Sequence, residues 1–216
     1  MKKIIVIVFL LMIRNTSVQA EEEHMKIWNF EEDRAGEAPA GFSFAQTGDG
    51  RLGRWVVRTD KEAPRESHVL AQVDSDKVDY RFPIAIVNEP LLCDLHLSVQ
   101  CKPVSGQIDR ACGLVFRYQN ENNYYVTRAN ALENNVRLYK VVNSDRQQLA
   151  SWSGPISAGV WHGLRVDATG DHFEVYWDGQ KVLDAHDQTF NDAGRIGVWT
   201  KADSVTYFDD LSAEPQ

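Results

Sequence analysis

Cys93-Asp-Leu-His-Leu-Ser-Val-Gln-Cys101 alternates without a break: Cys93, Leu95, Leu97, Val99 and Cys101 are apolar, and Asp94, His96, Ser98 and Gln100 stand between them. A period of two marks a β-strand with one buried face, because successive side chains leave opposite sides of the pleated chain. Lys102 to Arg110 follows, with Pro103, Gly106 and Asp109 as turn chemistry, and Cys112, Leu114, Phe116 and Tyr118 then resume the same period. Folding the second run back on the first predicts a hairpin in which Cys101 faces Cys112, Val99 faces Leu114, Leu97 faces Phe116 and Leu95 faces Tyr118. In that register Arg117 leaves the dry side and points to a ligand-facing surface.

The same period continues outward. Tyr124–Ala129, Val136–Val142, Gln148–Trp152, Trp161–Ala168, Phe173–Trp177, Val182–Leu183, Arg195–Thr200 and Val205–Leu211 read as strands, as do Trp55–Thr59, His68–Val73 and Ile84–Val87 upstream. Asp178-Gly179 between two of them is a strong hairpin turn, since both central positions tolerate positive φ. No ten-residue amphipathic helix appears. Many short strands with frequent turns predict an all-β fold, a two-sheet antiparallel sandwich or jelly roll.

The 216 residues are 43% hydrophobic and 25% charged, an ordinary globular balance. The net charge of −8 lacks the broad positive footprint of a nucleic-acid binder. Lys2-Lys3, the apolar run Ile4–Ile13 and the small residues Val18 and Ala20 read as a cleaved export signal over residues 1–20. Ten apolar residues are too few for a bilayer, which needs ~20, and no later stretch is long and apolar enough to cross one. The expectation is an exported chain whose residues 21–216 form a single β-sandwich domain.

Cys93 and Cys101 lie ~26 Å apart on one extended strand and cannot pair there. Cys101 and Cys112 can, if the register above holds; otherwise the three cysteines fill the core as small apolar thiols. Neither C-x-x-C nor H-E-x-x-H occurs and the six histidines are scattered, so no zinc motif is present. Calcium needs no tight motif. Glu31, Glu32, Asp33, Asp209 and Asp210 would meet if the chain ends are neighbouring strands, with Glu32 and Asp210 as the expected pair, or they form a solvated acidic edge. No other cofactor is expected. G-x-S-x-G, G-x-G-x-x-G and Walker sequences are missing, which removes the simplest serine-hydrolase and nucleotide-binding readings.

Arg117, Tyr118, Asn120, Asn122, Asn123, Tyr124, Tyr125, Arg128 and Asn130 crowd into fourteen positions. Arginine and asparagine supply directional donors, and tyrosine a stacking face with a polar tip. Tyr124 and Tyr125 leave on opposite sides, so only one joins Arg117, and Arg128 shares the parity of Tyr124. Arg117, Tyr125, Arg128 and Asn130 are the candidate ligand residues. Among six tryptophans Trp177 belongs to the core by parity, whereas Trp199 is expected to face outward, with Lys201 beside it on a rim.

Gly113-Leu-Val-Phe-Arg-Tyr118, Asn123 to Val142, Phe173 to Gly179 and Gly197 to Asp210 resemble the 3-keto-disaccharide hydrolase domain family, once a domain of unknown function, in the concanavalin A-like lectin/glucanase superfamily. The resemblance covers most of residues 26–213. It implies a concanavalin A-like jelly roll and a protein of the bacterial periplasm or exterior that binds or acts on saccharides. The leading expectation is a saccharide-binding or accessory module that lays glycan across its concave sheet. The alternatives are a glycoside hydrolase acting on (3-keto-)disaccharides or related glycosides and a structural sandwich with a protein partner. For the hydrolase, Glu133, Asp203 and Asp209 are the candidate carboxylates, because they fall in the family-like segments.

Overall fold

A computed structural model describes residues 25–216, and the export signal expected at residues 1–20 lies outside them. Every regular element is a strand: β1 Lys26–Trp28, β2 Phe42–Gly48, β3 Trp55–Thr59, β4 His68–Gln72, β5 Arg81–Val87, β6 Leu95–Ser105, β7 Ala111–Asn120, β8 Asn123–Asn130, β9 Asn135–Val142, β10 Asp145–Ser153, β11 His162–Thr169, β12 His172–Trp177, β13 Gln180–His186, β14 Arg195–Trp199 and β15 Val205–Pro215. They form two antiparallel sheets. One runs β13-β12-β11-β6-β15-β4-β3, with β1 also paired to β15; the other runs β10-β9-β8-β7-β14-β5-β2. No helix among the described residues is long and apolar enough to cross a membrane.

The core lies between the sheets and is built from the alternating positions: Leu95, Leu97, Val99, Leu164, Val166, Phe173, Val175, Trp177 and Phe208 from one side, and Leu114, Phe116, Tyr125, Leu138, Ile196 and Val198 from the other. Each fully buried aliphatic or aromatic side chain contributes roughly 1.5–3 kcal/mol, and this layer offsets the entropy of ordering a chain with no local helical contacts.

The alternation located the dry faces but not the partners. β6 and β7 are not a hairpin: β6 pairs with β11 and β15, and β7 pairs with β8 and β14. The segment from Gly106 to Arg110 is a corner that carries the chain from one sheet to the other. Asp203 holds it, its carboxylate accepting the N–H groups of Gln107, Ile108 and Asp109 at 2.7–3.0 Å. Gly106 is required there, with φ +150° and the Asp109 carbonyl where a Cβ would sit. Cys101 and Cys112 face each other across the core, not along a ladder, and are joined as a disulfide between the sheets.

The expected pairing of Leu95 with Tyr118 also fails, for a local reason. A bulge in β7 sets Val115 against Gly197 but Tyr118 against Arg195, one residue more on β7 than on β14. Arg117 takes it up at φ +46°. The extra residue reverses the faces, as a single bulged position does in any half-buried strand. Arg117 turns inward and Tyr118 outward.

Candidate functional site

The outer face of the seven-stranded sheet bears a second layer of buried side chains, among them Phe82, Ile84, Val115, Tyr124, Val126, Tyr139 and Trp199. Among the described residues no third layer of structure covers them, so the sheet must cover itself. Five strand spacings separate β10 from β5, about 24 Å if flat, yet the Arg146 guanidinium lies 4.7 Å from the Phe82 ring centroid and 4.5 Å from that of Tyr139. Thr47 of β2 reaches Tyr124 of β8, oxygen to oxygen, in 2.7 Å. Side chains bridge these gaps only if the sheet curls strongly toward its outer side. That face is therefore concave, and the aromatic rings fill its floor.

Trp199 shows how the floor is packed. Gly113 stands opposite it on β7, and a Cβ there would meet the indole at 3.2 Å. The missing side chain lets the ring lie down on the sheet, stacked on Phe82 with centroids 5.4 Å apart. Trp199 thus has outward parity, as expected, but is fully buried and offers no exposed stacking face.

One end of this concavity is polar. Arg128 of β8 stands between Gly113 and Arg137 in the ladder. Its guanidinium donates to Glu133 Oε2 at 2.9 Å, to the Tyr139 hydroxyl at 3.2 Å, and to Asn135. Arg137 lies 3.4 Å from the same Glu133 oxygen. Asn130 Nδ2 donates to Asp109 Oδ1 at 2.8 Å, and Lys201 Nζ bridges Asp109 Oδ2 at 3.0 Å and Asp79 Oδ1 at 2.7 Å. Arg128, Asn130 and Asp109 are all under 3% exposed. Charged groups are seldom buried on the outer face of a sheet, because desolvation is offset only by complete pairing.

The charges are also set against one another. Burial pushes the Asp109 carboxyl up, against the pull of Lys201. Burial acts the same way on Glu133, but its bond from Asn135 and the charges of Arg128 and Arg137 prevail and hold it below its usual range. Burial lowers the Lys201 ammonium, and Asp79 and Asp109 more than compensate, leaving it raised.

Of the six expected ligand residues the structure brings four together here: Arg128, Asn130, Trp199 and Lys201. The other two go to the interior. Arg117 is fully buried and donates to the carbonyls of Cys93 at 2.9 Å, Phe190 at 3.0 Å and Gly170 at 2.6 Å, and to Asp94 Oδ1 at 3.1 Å. Tyr125 lies in the core, stacked on Phe116, with its hydroxyl donating to Asp187 at 2.7 Å. Neither can meet a ligand on the sheet face. Asp109 was not singled out, because in sequence it reads as a turn residue.

The expected carboxylates separate as well. Glu133 belongs to the polar end, Asp203 is committed to the corner, and Asp209 lies on the other sheet. β15 changes neighbours at Asp209–Ser212, pairing with β4 before the shift and β1 after it, with Asp210 at φ +46°. The Asp210 carboxylate is held by Arg65 at 2.8 Å. Glu31, not Glu32, turns toward this bend, accepting the N–H groups of Ser67 and His68. Glu32 instead lines a surface groove with Trp28, Asp33 and Phe42. As for the expected Glu32–Asp210 calcium pair, Asp210 is engaged by Arg65, and among the described residues no trio of convergent ligating side chains contains either residue.

Asp209 has a measurable consequence. Burial pushes its carboxyl up to about 6, and the charges of Asp210 and Glu31 add to this. A carboxyl raised in the folded state binds its proton more tightly there than in the unfolded chain. The stability it contributes is complete at acid pH and is lost as pH rises through about 6. Asp209→Asn should therefore stabilise the fold at pH 8, by about 1–3 kcal/mol, and change little at pH 3, below the ordinary carboxyl range where the folded and unfolded states are both protonated. Urea unfolding at the two pH values reads this directly; an equal effect at both would refute it.

No family model matches the chain. A levanase of Bacillus subtilis (strain 168) is 31% identical over 107 residues, which is 48% of this chain but only 15% of the levanase. In structure, the carbohydrate-binding module CBM66 of Bacillus subtilis superposes with a TM-score of 0.65 at 21% identity, over 84% of this chain and 98% of the module. The Ca2+/Man-bound exoplasmic/lumenal domain of VIP36 gives 0.62 at 11% identity, over 91% of each chain. Domain 4 of the extracellular arabinanase AbnA from Geobacillus stearothermophilus, in complex with arabinotriose, gives 0.57 at 13%, over 89% and 94%. The chain shares the two-sheet sandwich fold of these domains.

Proposed function

We propose that the protein is an exported saccharide-binding or accessory module that holds glycan at the polar end of its concave sheet. The observation that carries this reading is the convergence of Arg128, Arg137, Lys201, Asn130, Asp109 and Glu133 on one sheet face. Fixed donors and acceptors in a shared, pre-paired network suit ligand hydroxyl groups, since a network already ordered in the free protein loses little entropy on binding. The fold shared with carbohydrate-binding modules and lectins and the partial likeness to a levanase support it. The floor of packed rings argues for capture at this end, not along an aromatic platform.

Levan is the first ligand to test, because a levanase is similar in sequence to about half of this chain. Calorimetry with levan, arabinotriose and mannose should show binding to at least one. Arg137→Met and Lys201→Met should each weaken it about 10- to 100-fold, the loss of a charged donor being ~1.5–3 kcal/mol. The Arg137 side chain is partly exposed, so Arg137→Met should keep the wild-type unfolding midpoint within a few degrees, whereas Lys201→Met leaves the buried Asp109 carboxylate without its cation and should lower the midpoint. Unchanged affinity in both would remove the site from this end of the sheet.

One observation favours a second reading, hydrolysis of (3-keto-)disaccharides or related glycosides. Asp109 and Glu133 have their carboxyls pushed in opposite directions within one network, the pattern of an acid–base pair. Release of reducing sugar from the bound glycan, lost in Asp109→Asn, would move the assignment from module to enzyme.

A further inference from the structure

The hairpin at the edge of the eight-stranded sheet holds a separate cluster. His172 opens β12 and His186 closes β13, and the ladder sets them directly opposite one another. Their rings are stacked, with centroids 4.6 Å apart and 16° between planes. Asp184, two residues before His186, leaves the same side of β13 and lies 2.9 Å from His172 Nε2. One ligating atom from each of the three sits within 4.8 Å of the others.

The surroundings are those of a ligand set, not of a chance pair. His186 Nδ1 lies 3.2 Å from Asp171 Oδ1, and the other Asp171 oxygen accepts from Gln188 at 2.8 Å. A carboxylate on one ring nitrogen fixes the tautomer and turns the lone pair of the other outward, the usual arrangement behind a metal-bound imidazole. Lys181 donates to Asp184 Oδ2 at 3.0 Å and leaves Oδ1 on the histidine side.

Two imidazoles and one carboxylate suit a borderline divalent ion, whereas calcium takes 6–8 oxygens. Tetrahedral bonds of about 2.0–2.1 Å place donors ~3.4 Å apart. The side chains of His172, Asp184 and His186 are 38%, 49% and 64% exposed, so small rotations close the distance without disturbing the core.

We propose that His172, Asp184 and His186 form a surface site for a divalent transition-metal ion, zinc in the first instance, with Asp171 orienting His186. The fourth position stays open to water or to a donor from a bound molecule. The ion would clamp β13, an edge strand, to β12 at the point where the ladder ends. This inference rests on the eight-stranded sheet and is independent of the saccharide reading.

The test is calorimetric titration of the protein with zinc chloride in a non-chelating buffer, without saccharide. One equivalent should bind at sub-millimolar zinc and raise the unfolding temperature. His172→Ala and His186→Ala should each lower the affinity at least tenfold, and Asp171→Asn roughly 10- to 100-fold as an orienting partner, while His96→Ala, on another part of the sheet, leaves it unchanged. All four positions are exposed enough for circular dichroism to confirm folding. Absence of binding, or equal affinity in the His172→Ala, His186→Ala double variant, would overturn the assignment.

Discussion

Replacing Arg117 with alanine should destabilise the fold by about 3–5 kcal/mol, the cost of leaving buried partners of a charged group unpaired. The guanidinium is fully buried and ties together four segments distant in sequence: the approach to β6 through Cys93 and Asp94, the β11–β12 turn through Gly170, the approach to β14 through Phe190, and its own strand. Removing it strands three carbonyls and a carboxylate and takes away the contact with the Phe173 ring, 5.3 Å from the guanidinium carbon. Lysine should not rescue it, because one ammonium cannot supply a planar fork of donors to four acceptors. Urea unfolding of both variants checks this. A loss under 1 kcal/mol in Arg117→Ala would show that the cluster is not the structural tie described.

The second large effect concerns Cys101 and Cys112. Their bond joins the two sheets and closes a short loop, with a sequence separation of 11. A loop of that size restricts the unfolded chain by about 3 kcal/mol. The oxidised protein should therefore unfold at distinctly higher urea than the Cys101→Ala, Cys112→Ala variant, and non-reducing mass analysis of protein folded under oxidising conditions should show the pair bonded. If the variant is as stable as the parent, the cross-sheet bond contributes nothing. Both sulfurs lie in the core between the sheets, so the variant also leaves a small cavity, which adds to the expected loss.

Sandwich architecture was legible because a period of two survives in nearly every strand, and that period follows from burying one face. Partner choice was not. The runs from Cys93 to Cys101 and from Cys112 to Tyr118 fit a hairpin as well as they fit two strands facing each other across a core, since both arrangements put the same residues on the dry side. Arg117 shows a different limit. Nothing in Val115-Phe-Arg-Tyr118 announces a bulge, yet one extra residue exchanges inside and outside.

The polar end of the concave sheet was half legible. Arg128, Asn130 and Lys201 stood out as donors at compatible parity, whereas Asp109 takes its role from a corner that Asp203 builds 94 residues later in the chain. His172 and His186 are not legible as a pair in the sequence for a related reason. Their spacing is set by the length of a hairpin and its bulge between Val175 and Tyr176, not by a metal motif.

We propose that saccharide meets this protein at the polar end of the concave sheet. Chemical-shift mapping of isotope-labelled protein, titrated with the glycan that calorimetry identifies, locates the contact residue by residue. Shifts should concentrate at Asp109, Arg128, Asn130, Arg137 and Lys201 and reach the Trp199 indole. Shifts confined to Ser98, Arg165 and Tyr176, which line a depression on the opposite sheet, would contradict it.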